Sequence, residues 1–166
     1  MKYTESQINK ISKDLQNKIK GKVLSDPFSR GRYSTDSSLY QITPLGAVLP
    51  KDQNDVLNLM EYSQKNSIPL LARGGGSSQC GQTVNEAIVL DYSMHQNKIL
   101  ELNLEEKYVW VQPGIVLDSL NKYLKPHGLW FPVDVSTSSR APIGGMTGNT
   151  SCGSRSLSYG NMVNNV

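Results

Sequence analysis

Three consecutive glycines between an arginine and two serines form a segment suited to binding an anion. They are residues 74–76, preceded by Arg73 and followed by Ser77 and Ser78. Without Cβ atoms, successive backbone N–H groups can converge on one point and form an anion-binding nest. Arg73 adds a permanent positive charge, and the serine hydroxyls add further donors. A plain turn needs only one or two glycines, so this composition favours a phosphate-binding loop.

The loop does not match the two most common nucleotide-binding signatures. No Gly-Lys-Ser/Thr follows the glycines, and no Gly-x-Gly-x-x-Gly opens a helix here. These absences exclude a Walker loop and a Rossmann fingerprint. A second glycine-rich stretch, residues 143–153, carries polar groups at Asn149, Thr150 and Ser151. Two such loops, far apart in sequence, predict two walls around one extended ligand, and a dinucleotide has a suitable length and a pyrophosphate.

The elements that position these loops are predicted from capping signals and periodicity. Thr4 and Gln7 match a capping box at the start of an amphipathic helix that Gly21 can end. A strand at 46–49, a helix at 52–66 and a strand at 68–72 form a unit that favours parallel strands. Short strands are predicted at 87–91, 98–102 and 108–112, with a helix at 116–125. Residues 26–43 and 131–160 are predicted to be loops.

Composition bounds the class of protein. The chain has 166 residues, 37% of them hydrophobic, which is enough for a packed core. A net charge of +3 is too small to indicate nucleic-acid binding. Two cysteines and two histidines in unrelated contexts do not predict a disulfide framework or a metal site. No apolar run approaches membrane-spanning length and no signal peptide is visible, so we expect a cytoplasmic protein.

Eight short motifs occur in order along the chain. They are RGGGSS at 73–78, GQ at 81–82, IVLD at 88–91, VQPG at 111–114, FPVD at 131–134, IGGM at 143–146, CGSRS at 152–156 and YG at 159–160. The series resembles the FAD-binding domain of the vanillyl-alcohol oxidase and p-cresol methylhydroxylase superfamily. Within it, the series is most similar to FAD subunits of D-lactate dehydrogenases and glycolate oxidases, especially those fused to an iron–sulfur module.

The resemblance implies an α+β fold with two subdomains of the p-cresol methylhydroxylase type, the second of them truncated. Residues 1–43 would be an N-terminal helix and lead-in loop, and residues 44–166 an incomplete FAD-binding domain. Residues 73–78 would hold the pyrophosphate of FAD. The implied cofactor-binding residues are Arg73, Gly74, Gly75, Gly76, Ser77, Ser78, Gln82, Pro132, Asp134, Ser138, Gly144, Gly145, Asn149 and Gly153.

The resemblance also implies an activity. Family members oxidise a D-2-hydroxy acid, of the D-lactate or glycolate type, by hydride transfer to the flavin and pass electrons to a downstream acceptor. No catalytic residue or metal ligand is assigned in this chain, and the chain alone is expected to be inactive. An iron–sulfur cluster is expected only in a missing C-terminal module. A peripheral position at the inner membrane is left open.

The chain departs from the pattern of its covalent relatives at one position, and two other functions are considered beside the leading one. Covalent flavoproteins of the superfamily carry His directly after the glycines, where this chain has Ser77, so non-covalent FAD is expected. One alternative is a flavoenzyme like UDP-N-acetylenolpyruvoylglucosamine reductase, which also uses a glycine-rich pyrophosphate loop. The FPVD and CGSRS motifs favour the hydroxy-acid branch. The other alternative is a non-catalytic nucleotide-binding remnant.

Overall fold

The computed structural model describes residues 3–166, which fall into one unit ending at His95 and a second from Gln96 to Val166. The first unit contains a four-stranded sheet in the order β1-β2-β4-β3. Strand β1 is antiparallel to β2, whereas β2 and β3 both run parallel to β4. The elements are α1 (Glu5–Gln16), β1 (Lys22–Leu24), α2 (Pro27–Arg32), β2 (Gly46–Leu49), α3 (Gln53–Asn66), β3 (Leu70–Arg73) and β4 (Ile88–Asp91).

Helix α1 begins as predicted but ends earlier. The Thr4 hydroxyl accepts a hydrogen bond from the Gln7 amide, and the Gln7 side chain accepts one from the Thr4 amide, which completes the capping box. The helix ends at Gln16, so the prediction that Gly21 ends it was wrong. Gly21 instead allows the backbone before β1 to pass close to the end of β2, because a Cβ there would collide with the carbonyl of Leu49. That contact depends on tertiary structure and leaves no local signal.

Helix α3 and its flanking strands confirm the predicted strand–helix–strand unit. Asp52 caps the helix by accepting a hydrogen bond from the Asp55 amide at 3.1 Å. Leu59 is fully buried in a core that also contains Ile8, Val48 and Ile88. Strands β2 and β3 are parallel, as expected for a crossover connection, and β4 lies between them.

The predicted loop at 26–43 contains a short helix, α2, and that part of the prediction was wrong. Asp26 caps it by accepting a hydrogen bond from the Ser29 amide at 2.9 Å, and Pro27 stands at the first helical position. Arg30 is buried, and its guanidinium donates to the Pro44 carbonyl at 2.8 Å and to Glu5 at 2.8 Å. These bonds fix the segment that precedes β2.

The second unit is built on an antiparallel pair of strands and four α-helices. Its elements are β5 (Ile99–Asn103), β6 (Tyr108–Val111), α4 (Leu117–Leu124), α5 (Ile143–Gly148), α6 (Ser156–Tyr159) and α7 (Met162–Asn165). Its core includes Leu117, Leu120, Val133 and Met146. The predicted 131–160 loop therefore contains α5 and α6. Both are short and rich in Gly and Ser, which masks helical periodicity.

Helices and sheets in both units confirm the predicted α+β class. Over residues 3–166, no helix combines the length and the apolar character that a membrane crossing requires.

Candidate functional site

The glycine-rich loop leaves the carboxyl end of β3. Arg73 is the last residue of that strand and stands in register with Asp91, the last residue of the parallel strand β4. In open α/β sheets, ligands bind outside the carboxyl ends of the strands. The fold thus places residues 74–78 where a cradle for a ligand is expected.

Backbone N–H groups of this loop are available to an anion. Within the part of the chain that the structure describes, the amides of Gly75, Gly76 and Ser77 have no hydrogen-bond partner. Gly76 has a φ of +64°, a left-handed conformation that only glycine adopts without strain. Consecutive amides in such a turn form the concave nest that binds phosphate groups.

The Arg73 side chain folds back onto the loop. One terminal nitrogen donates to the Thr35 carbonyl at 2.8 Å. The other donates to the Thr83 carbonyl at 3.2 Å and to the Tyr33 carbonyl at 3.5 Å. The guanidinium carbon also lies 5.5 Å from the centroid of the Tyr33 ring, within cation–π range. The positive charge predicted beside the glycines is therefore present, and part of its donor capacity is directed at backbone carbonyls.

The far end of the loop is closed by its own polar side chains. The Ser78 hydroxyl donates to the side-chain oxygen of Gln82 at 2.9 Å and accepts a hydrogen bond from the Gln82 amide at 3.3 Å. Thr83 donates to Asp36 through its hydroxyl at 3.0 Å and its amide at 3.4 Å. Burial alone would raise the pKa of Asp36, but hydrogen bonds from Ser38 and Thr83 hold that pKa below its ordinary value. The carboxylate thus stays ionised and anchors the loop.

The second glycine-rich stretch is held by close backbone contacts inside the second unit. The Gly144 amide donates to the Pro113 carbonyl at 2.8 Å. A Cβ on Gly144 would lie 2.6 Å from the Pro113 Cβ, so the VQPG and IGGM motifs touch each other. Gly145 follows within α5, and Asn149 ends that helix and accepts a hydrogen bond from the Ser151 hydroxyl. The Ser138 carbonyl accepts a hydrogen bond from the Asp118 amide at 3.2 Å.

Asp134 organises the turn at 153–155. Its carboxylate accepts hydrogen bonds from the Ser154 hydroxyl at 2.6 Å and the Arg155 amide at 3.0 Å, and Arg155 Nε lies at 3.7 Å. The Ser154 hydrogen bond is the main cause that holds the pKa of Asp134 below its ordinary value. A side chain on Gly153 would collide with the Asp134 carbonyl, so only glycine fits. Pro132 precedes the buried Val133 on the same segment.

The predicted cofactor-binding residues fall in both units, and within each unit some of them contact one another, as Ser78 does with Gln82 and Gly153 with Asp134. The first unit holds Arg73, Gly74, Gly75, Gly76, Ser77, Ser78 and Gln82, and the second holds Pro132, Asp134, Ser138, Gly144, Gly145, Asn149 and Gly153. The sequence prediction missed Tyr33, Thr35 and Asp36, which hold the first loop from a distant segment. No His/Cys/Asp/Glu group suited to a metal ion occurs among residues 3–166.

Comparison with protein families and curated proteins gives consistent results. A family model described as an FAD binding domain matches residues 44–166. The chain is 43% identical over 151 residues to D-2-hydroxyglutarate dehydrogenase of Pseudomonas putida, and the match covers 89% of the chain and 15% of that protein. It is 30% identical over 158 residues to glycolate oxidase subunit GlcD of Bacillus subtilis, covering 90% of the chain and 33% of that protein. The chain thus spans a third or less of the length of these relatives.

Solved structures show the same fold. Alkyldihydroxyacetonephosphate synthase matches with a TM-score of 0.81 at 22% identity, over 92% of this chain and 31% of that chain. Substrate-bound p-cresol methylhydroxylase matches with a TM-score of 0.70 at 19% identity, over 90% and 31% of the respective chains. The predicted p-cresol methylhydroxylase-type fold is confirmed.

Proposed function

Because the chain belongs to the FAD-binding domain family, we propose that it forms the FAD-binding part of a flavin-dependent dehydrogenase acting on a D-2-hydroxy acid. The similarity to a D-2-hydroxyglutarate dehydrogenase and to a glycolate oxidase subunit supports this substrate class. The observation that carries the proposal is the set of unpartnered loop amides at the carboxyl end of β3. A downstream electron acceptor completes the proposed reaction.

The residues present fit the pyrophosphate of FAD. Gly75 and Gly76 leave the loop without Cβ atoms, so a phosphate can approach the backbone closely. Their amides, with that of Ser77, are donors that a doubly charged pyrophosphate can satisfy. The Arg73 guanidinium adds positive charge next to Gly76, because a Cβ on that glycine would lie 2.5 Å from an Arg73 nitrogen. In this proposal the loop binds and orients the cofactor.

The second glycine-rich stretch supplies the other proposed contacts. Gly144 packs against Pro113 and Gly153 against Asp134 too closely for a side chain, so both glycines fix the backbone of this stretch within the second unit. Asp134 contributes by fixing the turn that contains Gly153, since its carboxylate is engaged with Ser154 and Arg155. Pro132, Ser138, Gly145 and Asn149 are proposed to line the path toward the flavin. When bound, FAD would supply the hydride acceptor.

A titration of the chain with FAD tests the proposal. Flavin fluorescence is followed for the parent, for Gly75→Val and for the matched control Gly31→Ala in the same unit, whose added Cβ meets no atom within 4 Å. A side chain at 75 would exclude phosphate from at least one charge-assisted bond, worth roughly 1.5–3 kcal/mol. The Kd should therefore rise about 10- to 150-fold for Gly75→Val and stay unchanged for the control.

Two outcomes would contradict the proposal. One is a parent chain that leaves the fluorescence of FAD unaltered at every concentration. The other is a Gly75→Val protein that binds FAD as tightly as the parent, which would place the pyrophosphate away from this loop.

A further inference from the structure

The Arg73 guanidinium connects three separate segments of the first unit. It belongs to the residue that opens the glycine-rich loop, and it donates to the carbonyl of Thr83, which closes that loop, at 3.2 Å. It also donates to the carbonyls of Thr35 at 2.8 Å and Tyr33 at 3.5 Å, on the segment after α2. One planar cation thus fixes both ends of the loop to a common support.

Gly76, within the loop, lies against the same guanidinium. A Cβ on Gly76 would lie 2.5 Å from one guanidinium nitrogen and 3.0 Å from its central carbon. Gly76 also has a φ of +64°, so its conformation and its contact with Arg73 both require glycine. The position of the unpartnered amides therefore depends on where the Arg73 side chain lies.

The guanidinium itself has a rigid support. The Tyr33 ring is buried and lies 5.5 Å from the guanidinium carbon. The Tyr33 hydroxyl donates to Asp91, at the end of β4, at 2.7 Å. Burial, followed by the hydrogen bond to Asp91, raises the pKa of Tyr33, so the hydroxyl remains a donor at neutral pH. The ring, and with it Arg73, is thereby tied to the central sheet.

We propose that Arg73 is a positioning residue, which shapes the glycine-rich loop for a pyrophosphate through its bonds to backbone carbonyls. The identity of the ligand rests on the proposed function. A planar fork with several donors can reach three carbonyls, whereas a lysine ammonium presents a single point of charge. Lysine at position 73 would keep the positive charge but lose the hydrogen bonds to the three carbonyls. The Arg73→Lys variant therefore distinguishes a positioning role from direct electrostatic attraction of the ligand.

The first test needs no cofactor. Amide exchange is measured by NMR on the parent chain, Arg73→Lys, Arg73→Gln and the control Arg32→Lys. Arg32 lies 6.0 Å from the same Tyr33 ring, so the control alters a neighbouring cation. The Thr83 amide donates to the Asp36 carboxylate, and the Ile42 amide donates to the Ser34 carbonyl. These two amides report on the end of the glycine-rich loop and on the segment after α2, which Arg73 holds together.

In both Arg73 variants, exchange at these amides should become at least about tenfold faster, because a charge-assisted network is lost. The Arg32 control should match the parent. Unchanged exchange in Arg73→Lys would overturn the proposal, whether or not the chain binds FAD.

The second test compares FAD with riboflavin, which lacks the pyrophosphate. Positioning predicts that Arg73→Lys and Arg73→Gln weaken FAD binding by at least about tenfold, with riboflavin binding unchanged. FAD affinity retained in Arg73→Lys would identify a direct charge contact and overturn the proposal. A parallel loss of riboflavin affinity would indicate general damage to the fold and would also overturn it. Absence of FAD binding to the parent would instead contradict the proposed function.

Discussion

Replacing Gly76 by alanine is expected to damage the glycine-rich loop through two separable effects. An L-residue at a φ of +64° costs about 1–2 kcal/mol. The new Cβ would also lie 2.5 Å from an Arg73 nitrogen, so the guanidinium must move. If its bond to the Thr35 carbonyl is lost, roughly 1.5–3 kcal/mol is added. The two effects sum to about 2.5–5 kcal/mol of unfolding free energy.

Gly128 provides the matched control for this substitution. Its φ is +69°, close to that of Gly76, but a Cβ there meets no atom within 4 Å. Gly128→Ala should therefore cost only the conformational part, about 1–2 kcal/mol. Urea unfolding of the two variants measures the difference, and FAD titration should show weaker binding only for Gly76→Ala. Equal destabilisation by the two substitutions would contradict this prediction, because the contact with Arg73 would then contribute nothing to the free energy of unfolding.

Three further predictions concern the second unit and the cofactor. Gly144→Ala should lower the free energy of unfolding in urea, because its Cβ meets Pro113 at 2.6 Å. Gly148→Ala in the same helix should be neutral or stabilising by up to about 1 kcal/mol, and a similar loss of stability in both variants would contradict this. The pKa of Asp134 in the folded chain lies below its ordinary value of 3.8. The ionised carboxylate therefore stabilises the fold above pH 3.8, and this stabilisation is lost as the pH falls through the lower folded pKa. The stability gap between the parent and Asp134→Asn should thus shrink in acid, and a gap independent of pH would refute the assignment. Because Ser77 cannot form a histidyl link, acid precipitation of the FAD complex should release all flavin, whereas flavin kept on the washed pellet would refute non-covalent binding.

Features encoded by neighbouring residues were predicted correctly. The capping box of Thr4 and Gln7 and the Asp52 cap join residues that are three positions apart, so the sequence displays them directly. The strands flanking the glycine-rich loop were predicted for the same reason, since buried strands appear as short apolar runs. The location of the loop at the carboxyl end of β3 followed from these elements.

Features that depend on distant residues were not predicted. The sequence pattern predicts that Gly21 ends a helix, but in the structure this glycine allows close packing against Leu49, which is 28 positions away in the sequence. The contacts of Arg73 with Tyr33 and Thr35 span 40 and 38 positions. Residue types at 33–36 gave no sign that this segment braces a loop. The sequence thus predicted an anion-binding loop from its residue types, whereas the contacts that support this loop were visible only in the fold.

We propose that the glycine-rich loop binds the pyrophosphate of FAD with its backbone amides. Amide chemical shifts of the isotope-labelled chain, followed by NMR as FAD is added, test it most directly. The largest shifts are expected at Gly75, Gly76 and Ser77, and they should saturate at the FAD concentration that saturates flavin fluorescence. Saturable FAD binding that leaves these three amides unshifted would contradict it.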